Sequence, residues 1–405
     1  MRALAIATVA ILAGCGTSAG SQFAPDASQS ASSASRSHVV SGTRGALGPV
    51  LTAAASGTIT GWDVDQSEGI GLLSAGYKNG TRLETFDLKT AKIIKMGSFQ
   101  NGGSGSITRQ YIVLRILAND VALVDDLNFH YQGFQRYDTF PTVSPIAKAR
   151  VTGHWTPAHR KDLLVNPSEG WVAVNQDTSA NLIMADRDIH RSKGGKLELI
   201  GSDVAKDTFM KPPRLTPHQV YQPPYLVMQD TAANEAIVPV QLYVNGLYNP
   251  FEAPSFDLYE QSSGKHSVVS PALGSGSVMG GAVDSTTHMM CTTTSEDSDV
   301  EFINLTTKTG FAENMPNGIG EGSGGGAVAV DELNHLFIVT QPAGSLLNTA
   351  SIYVYNEKGN LLESISGFDF ENASAAVFAY VAVNPQLRIG YVTTANAAQL
   401  QSFSY

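Results

Sequence analysis

A weak repeat with a period of about 50 residues runs through most of this chain and limits the folds that it can adopt. In each copy an apolar run ends at an Asp or Asn, a turn of about four residues follows, and a second apolar run begins. The Asp or Asn of six copies is Asp65, Asn166, Asp230, Asp284, Asp331 and Asn384. A seventh, degenerate copy surrounds Asn119 and Asp120. A period of this length is typical of arrays in which each copy forms one small sheet.

Most copies continue with a third and a fourth strand, as in residues 351–355 and 361–365. The sequence between these two runs, Asn-Glu-Lys-Gly-Asn, is of a kind that forms tight hairpin turns. The last copy has only three strands, so we expect a strand within residues 50–60 to complete it. The predicted fold is therefore all-β, a single β-propeller of about seven four-stranded blades whose N-terminal strand closes the last blade. Six and eight blades remain alternatives.

The composition favours strands and excludes several classes of function. Charged residues make up 15% of the chain, against about 25% in typical proteins, and hydrophobic residues make up 42%, which excludes disorder of the whole chain. The formal net charge is −10, so the surface repels phosphate backbones and we expect no nucleic-acid partner. Cys15 and Cys291 are not in a Cys-x-x-Cys pair, and we expect no cofactor.

The first residues have the pattern of an export signal. Arg2 precedes an apolar run over residues 4–13, which is too short to span a bilayer. Leu12-Ala13-Gly14-Cys15 resembles a bacterial lipobox, which implies cleavage before Cys15 and lipidation of its thiol. We therefore predict a lipoprotein signal peptide over residues 1–14, a lipidated Cys15 with a flexible Ser- and Ala-rich tether over residues 15–44, and a propeller domain over residues 45–405. An ordinary signal peptide and a cytosolic protein with an apolar first helix are the alternatives.

Two copies of the repeat resemble known propeller families. Val383-Asn384-Pro385, followed by the Tyr-Val-Thr-Thr of residues 391–394, resembles the YVTN repeat, and residues 352–359 resemble the NHL repeat. The resemblance implies a fold far more than an activity. The residue after Cys15 is Gly16 rather than Asp, which by resemblance to lipoprotein sorting favours the outer membrane, with the domain facing the periplasm or the surface.

Glycine-rich stretches precede several of the expected innermost strands. They contain Gly103, Gly276, Gly322 and Gly324. In a propeller these connections surround the mouth of the central channel, where glycine lets backbone N–H groups approach a ligand or an ion. The alternative is that tight crossings between blades need glycine for steric reasons.

Acidic residues occur in loops that we expect on the same face. These candidate rim residues are Glu296, Asp297, Asp299, Asp177 and Asp125. Closely spaced carboxylates suit a ligand or a Ca²⁺ ion, which takes six to eight oxygens, although a solvated turn explains the same run. The identity of any metal stays open.

His288 and His335 occupy the same place in neighbouring copies, four residues after the repeat's Asp. Matching positions suggest a metal site, and a histidine that caps the turn is the alternative. The chain contains no Gly-x-Ser-x-Gly or His-Glu-x-x-His motif, so no catalytic residue is assigned.

These observations predict a non-catalytic binding or scaffolding module that is lipid-anchored in the cell envelope. The expected partners are the membrane, through the lipid anchor, and an envelope protein or a small-molecule ligand, and we expect a monomer. The alternative is a propeller-type hydrolase or lactonase with its site at the central channel mouth. A third possibility is a structural partner in envelope assembly.

Overall fold

The computed structural model describes parts of a unit that spans residues 38–405. From residue 112 to residue 222 it describes strand backbones alone. No helix of the described residues is long and apolar enough to cross a membrane. The described residues are 45–54, 57–66, 69–77, 80–98, 112–117, 121–126, 134–138, 144–149, 172–174, 182–185, 188–193, 196–201, 219–222, 228–244, 247–248, 254–260, 266–271, 273–274, 278–294, 299–316, 326–341, 350–368, 381–394 and 398–405.

The described strands form seven antiparallel sheets, which we number by chain order. The first strand, β1 (Ala46–Thr52), belongs to the last sheet. Sheet 1 contains β2 (Thr58–Val64), β3 (Ile70–Tyr77), β4 (Gly80–Asp87) and β5 (Lys92–Ser98). Sheet 2 contains β6 (Ile112–Leu117), β7 (Val121–Asp126), β8 (Phe134–Asp138) and β9 (Ser144–Ala149). Sheet 3 contains β10 (Val172–Val174), β11 (Leu182–Ala185), β12 (Asp188–Lys193) and β13 (Lys196–Gly201).

The second half of the chain forms the other four sheets. Sheet 4 contains β14 (Gln219–Gln222), β15 (Met228–Asp230), β16 (Glu235–Val244), β17 (Leu247–Tyr248), β18 (Ser255–Glu260) and β19 (His266–Val269). Sheet 5 contains β20 (Val278–Asp284), β21 (Met289–Thr294), β22 (Asp299–Asn304) and β23 (Thr309–Asn314). Sheet 6 contains β24 (Val328–Asp331), β25 (Leu336–Gln341), β26 (Ala350–Asn356) and β27 (Leu361–Phe368). Sheet 7 contains β28 (Val381–Asn384), β29 (Ile389–Thr393), β30 (Gln399–Ser404) and β1.

The outer strand of sheet 7 comes from the beginning of the described chain. β1 pairs antiparallel with β30, from Ala46 opposite Ser404 to Thr52 opposite Gln399. The expected position of this strand, residues 50–60, is wrong in its bounds, because residues 58–60 belong to β2. The strand signal is weak because Gly48 and Pro49 interrupt the alternation, and the register shifts at that point.

Sheet 4 departs from the predicted four-stranded pattern. Its order is β14-β16-β18-β19, and β15 and β17 also pair with β16. The long strand β16 pairs with β15 through its first half and with β14 through its second half. The chain between β14 and β15 contains Pro223 and Pro224, which have no N–H to donate to a ladder. The prediction of four strands is therefore wrong for this sheet and holds for the other six.

One strand from each sheet, which is β15 in sheet 4, β28 in sheet 7 and the first strand in the other five sheets, lies beside its counterpart in a neighbouring sheet. β15 contacts β20, β20 contacts β24, and β24 contacts β28. β28 in turn contacts β2, β2 contacts β6, and β6 contacts β10. In β24 (Val-Ala-Val-Asp) and β28 (Val-Ala-Val-Asn) these inner-strand side chains are small and all of them are buried. Small apolar residues are needed here because neighbouring sheets cover both faces of an inner strand.

Apolar side chains fill the seams between the described sheets. Separate clusters lie between sheets 4 and 5, 5 and 6, 6 and 7, and 7 and 1. In the last of these, Leu51 and Tyr391 of sheet 7 pack with Trp62 and Phe86 of sheet 1. The core is therefore divided among the seams, so the order of the sheets is held by burial of apolar surface at each one.

Two equivalent glycines make room for aromatic rings within their own sheets. A Cβ atom on Gly71 would lie 2.2 Å from the Phe86 ring, and one on Gly390 would lie 2.2 Å from the Phe403 ring. Each glycine is the second residue of its sheet's second strand. In these two sheets, glycine is therefore required at this position by the packing of the aromatic ring.

Candidate functional site

In four copies of the repeat, the marking Asp or Asn ends a strand and organises the turn that follows. Asn166 lies outside the described residues, and the described strands of sheet 3 begin after it, at Val172. Asp230, Asp284, Asp331 and Asn384 are all buried. Their Oδ1 atoms accept hydrogen bonds from turn N–H groups: Ala233 donates to Asp230 at 2.9 Å and Thr286 donates to Asp284 at 2.9 Å. A short side chain with an acceptor oxygen is what such a turn requires, which explains why the repeat keeps only Asp or Asn here.

The residue four places later in each turn has a left-handed backbone. The φ angles are 57° at Asn234, 55° at His288, 55° at His335 and 52° at Arg388. This conformation is unfavourable for residues other than glycine, although Asn and His adopt it more readily than most. An interaction of the side chain can offset part of the cost of this conformation at His288 and His335.

That interaction is a hydrogen bond to the preceding sheet. The Nδ1 atom of His288 lies 2.6 Å from Oδ2 of Asp230, which links sheets 4 and 5. The Nδ1 atom of His335 lies 2.7 Å from Oδ2 of Asp284, which links sheets 5 and 6. The two histidines are turn residues, as one alternative predicted, and each also bonds to the neighbouring sheet.

In the next two seams, other side chains form the hydrogen bond between neighbouring sheets. The Tyr405 hydroxyl donates to Oδ2 of Asp331 at 3.0 Å, between sheets 7 and 6. The Asn384 Nδ2 group donates to the Asp65 carbonyl oxygen at 2.7 Å, between sheets 7 and 1. We call these four contacts, Asp230–His288, Asp284–His335, Asp331–Tyr405 and Asn384–Asp65, the inter-sheet chain.

A second row of hydrogen bonds reinforces the inter-sheet chain. The Thr231 N–H donates to the Ser285 hydroxyl at 3.0 Å, and the Ser285 N–H donates to Oε1 of Glu332 at 2.9 Å. Sheets 4, 5 and 6 are therefore joined twice on the side where these turns lie. Polar contacts of this kind fix the relative position of neighbouring sheets more specifically than apolar packing does.

Two ionisable groups of the inter-sheet chain have shifted pKa values. The hydrogen bond to Asp284 raises the pKa of His335, and the negative charge of Glu357 acts in the same direction. Burial raises the pKa of Tyr405 well above its usual range, and the nearby Asp331 carboxylate adds to this effect. The Arg388 guanidinium lies 5.2 Å from the centre of the Tyr405 ring and packs against it.

One part of the inter-sheet chain has the residue types of a metal centre. Asp284, His335 and Glu357 each offer one ligand atom, and these atoms lie within 4.8 Å of one another. Asp284 ends β20, His335 lies in the turn after β24, and Glu357 lies in the turn after β26. Among the residues that the structure describes, this is the one group of three that could hold an ion.

Buried carboxylates also occur in the third strands, where sequence analysis did not find them. Glu84 of β4, Asp257 of β18 and Glu301 of β22 are at most 1% exposed. Glu84 accepts a hydrogen bond from the Ala54 N–H at 3.0 Å, and Glu301 accepts one from the Thr292 hydroxyl at 2.9 Å. The sequence signal is poor because a carboxylate in an alternating strand indicates a solvent-facing position.

Cys291 is a free and fully buried thiol within sheet 5. Burial raises its pKa well above the usual value, and the nearby Glu301 carboxylate has the same effect. The reactive thiolate is therefore scarce at neutral pH.

The predicted rim is largely outside the described residues. Asp125 is described by its backbone and lies in strand β7, so its expected place in a loop is wrong. Asp299 is the first residue of β22, opposite Asn314, and is half-buried. The other predicted positions lie outside the described residues: Cys15, Gly103, Asp177, Gly276, Glu296, Asp297, Gly322 and Gly324.

Sequence analysis identified the repeat's Asp and both histidines but not their partners. Tyr405 was missed because it bonds to a sheet other than its own, and Glu357 because its turn follows a different strand of sheet 6 from the turn of His335. The spacing of four residues from Asp to His was the available signal, since it placed two imidazoles at equivalent positions of neighbouring copies.

The solved structure of U3-55K, a WD40 β-propeller protein, is similar to this chain, with a TM-score of 0.53 and 10% sequence identity. The alignment covers 88% of this chain and 98% of that chain. At this identity the likeness shows the fold alone, and together with the antiparallel sheets it shows that the chain carries a β-propeller. Because 942 chains of solved structures match, the fold by itself does not select a function. No family model and no curated protein matches the chain.

Proposed function

We propose that this chain is a lipoprotein of a bacterial cell envelope whose β-propeller is a non-catalytic binding or scaffolding module. We further propose seven blades of the YVTN or NHL kind, one for each sheet, with β1 as the strand that closes the ring. Anchoring is supported by the lipobox-like residues that end at Cys15. These proposals include an outer-membrane location and a monomer.

The observation that carries the binding proposal is the inter-sheet chain. Four consecutive seams are each held by a hydrogen bond that involves an Asp or Asn of the repeat. These polar side chains maintain the architecture, so most of them are committed to structure. A rigid set of sheets presents its loops in fixed positions, which reduces the entropy lost when a partner binds.

The anchoring proposal is tested with two cysteine variants of the full chain, expressed in a diderm bacterial host with a clickable fatty acid. The wild type and Cys291→Ser are expected to incorporate the label and to fractionate with membranes. Cys15→Ser is expected to lose both properties, and Cys291→Ser controls for removal of a thiol. Equal labelling of all three chains would refute lipidation at Cys15.

The binding proposal is tested by cross-linking in the same cells. Photo-reactive residues are placed in loops on the face opposite the inter-sheet chain. We expect them to capture the same envelope protein in repeated experiments, or to react less when a small ligand is bound. Turnover of lactone or ester substrates by the purified chain would instead favour the hydrolase alternative. The proposal of a binding module would be contradicted if no partner were captured, no small ligand reduced the photo-reaction and no substrate were turned over.

A further inference from the structure

At the seam between sheets 5 and 6, the Glu357 carboxylate lies near the Asp284–His335 hydrogen bond but is not part of it. We propose that His335 and Glu357, supported by Asp284, bind a divalent transition-metal ion with the properties of Zn²⁺. This proposal is independent of the anchoring and binding functions described above.

The first argument concerns the orientation of His335. Its Nδ1 atom lies 2.7 Å from a carboxylate oxygen of the buried Asp284, and an ionised carboxylate can only accept a hydrogen bond. Nδ1 therefore carries the proton, and in the neutral imidazole the lone pair is on Nε2. A carboxylate behind the histidine is the usual arrangement at metal centres, because it fixes the tautomer and the ring orientation.

Asp284 is itself held in place on its other oxygen. The Thr286 N–H and hydroxyl both donate to Oδ1, at 2.9 Å and 2.6 Å. The carboxylate is buried, whereas the His335 side chain is 46% exposed. The support is therefore rigid while the imidazole remains accessible to an ion from solvent.

The second argument concerns Glu357, whose carboxylate is not needed by its own turn. The Asn356 Oδ1 atom accepts hydrogen bonds from the N–H groups of Lys358 and Asn360. The backbone bonds of this turn join Asn356 to Gly359 and Asn360. None of these contacts uses the Glu357 side chain, so it can serve as a ligand without loss of the turn.

The third argument concerns geometry and charge. Nitrogen and oxygen ligands lie about 2.0–2.2 Å from Zn²⁺. One ring nitrogen of His335 lies within 4.8 Å of a carboxylate oxygen of Glu357 and of one of Asp284, so a modest rearrangement of these side chains brings the imidazole and the Glu357 carboxylate to one ion. Two carboxylates and a neutral imidazole supply a charge that matches a dication. Imidazole with carboxylate suits Zn²⁺, Ni²⁺ or Cu²⁺, whereas Ca²⁺ and Mg²⁺ prefer oxygen ligands alone.

The neighbouring seam provides a control within the same molecule. The Asp230–His288 pair has the same hydrogen bond, at 2.6 Å. The residue that corresponds to Glu357 in sheet 5 follows Asn304 and is the buried Leu305, which has no ligand atom. Both seams thus have the Asp–His hydrogen bond, and a carboxylate equivalent to Glu357 is present at one of them.

The experiment uses the untagged full chain with Cys15→Ser, which removes a thiol that would itself bind metal. After treatment with a chelator, the protein is titrated calorimetrically with Zn²⁺ and, for comparison, with Ca²⁺. We expect one saturable Zn²⁺ site and no comparable Ca²⁺ site. Glu357→Gln is expected to weaken Zn²⁺ binding by about tenfold or more, and Glu357→His to restore or strengthen it.

Two further measurements distinguish the proposed site from others. His288→Asn is expected to bind Zn²⁺ as the parent chain does, whereas His335→Asn is expected to lose binding. In imidazole ¹⁵N spectra, Zn²⁺ should shift Nε2 of His335 while Nδ1 keeps its proton. Absence of a saturable site in the parent chain, or unchanged affinity in both Glu357→Gln and His335→Asn, would overturn the proposal. If His335→Asn fails to fold, the Zn²⁺ affinity of Glu357→Gln alone decides the test, because the side chain of Glu357 takes no part in the hydrogen bonds of its turn.

Discussion

Tyr405→Phe removes one hydrogen bond between sheets and leaves the surrounding packing in place. The hydroxyl donates to Asp331 at 3.0 Å, and the residue is 3% exposed. The ring would keep its contact with Phe403, whose centre lies 6.1 Å away, and with Arg388. The expected loss is therefore that of a hydrogen bond to a charged acceptor.

The size of this loss follows from what remains around Asp331. A hydrogen bond to a charged group contributes about 1.5–3 kcal/mol. The Asn334 side-chain amide continues to donate to the same Oδ2 atom at 2.8 Å, so the carboxylate keeps a partner. We therefore expect a loss at the lower end of this range, which is a decrease of about 1.5 kcal/mol in the free energy of unfolding.

Tyr355→Phe is the matched control, since it also removes a buried hydroxyl. Among the described residues the Tyr355 hydroxyl has no hydrogen-bond partner, although its ring packs 5.8 Å from Phe302. Its removal should be neutral or stabilising. Both variants are measured by equilibrium denaturation, and a shift in midpoint at constant slope reports the change in stability. Equal effects of the two substitutions would refute the assignment of a stabilising role to the Asp331–Tyr405 contact.

Three further results are expected. Gly390→Ala should destabilise the protein by about 1–3 kcal/mol in the same assay, because its Cβ would overlap the Phe403 ring. The wild type should exceed His335→Asn in free energy of unfolding by more at pH 6 than at pH 9. The raised pKa of His335 contributes stability at low pH, and this contribution is lost as the pH rises through the pKa of the folded state. A disulfide between Val50→Cys and Gln401→Cys, which are opposite each other in β1 and β30, should form on oxidation and raise the denaturation midpoint.

Each of these three has a clear contrary result. A Cβ on Gly69 would come no nearer than 3.9 Å to another atom, so equal damage from Gly69→Ala would argue against a steric cause at Gly390. A difference between wild type and His335→Asn that grows with pH would reverse the sign required by a raised pKa. Failure of the two introduced cysteines to react with each other would contradict the pairing of β1 with β30.

The repeat could be predicted from sequence because its defining residue has a local function. Asp230, Asp284, Asp331 and Asn384 each bond to the turn that immediately follows, so spacing along the chain was sufficient to find them. The strands that end at Asp331 and Asn384 are short apolar runs buried at every position, and such runs are also visible in the sequence. Local hydrogen bonding and apolar runs are properties that a single sequence expresses directly.

The contacts between sheets could not be predicted in the same way. Tyr405 bonds to a residue 74 positions away, and Asn384 bonds to one 319 positions away. Which side chain of the neighbouring sheet reaches Oδ2 of the Asp depends on how the two sheets stack, and it changes from histidine to tyrosine between seams. Glu357 could not be linked to His335 from the sequence, because the two residues lie in turns that follow different strands of sheet 6.

The pairing of β1 with β30 has a mechanical consequence. Any force applied through residue 45 enters the fold at Ala46, which is opposite Ser404 at the end of this ladder. The Gly45 N–H also donates to the Glu363 carboxylate of sheet 6 at 2.7 Å. A pull from the N-terminal side is therefore shared by two sheets at once, and rupture would have to begin by peeling the strand that joins the two ends of the described chain.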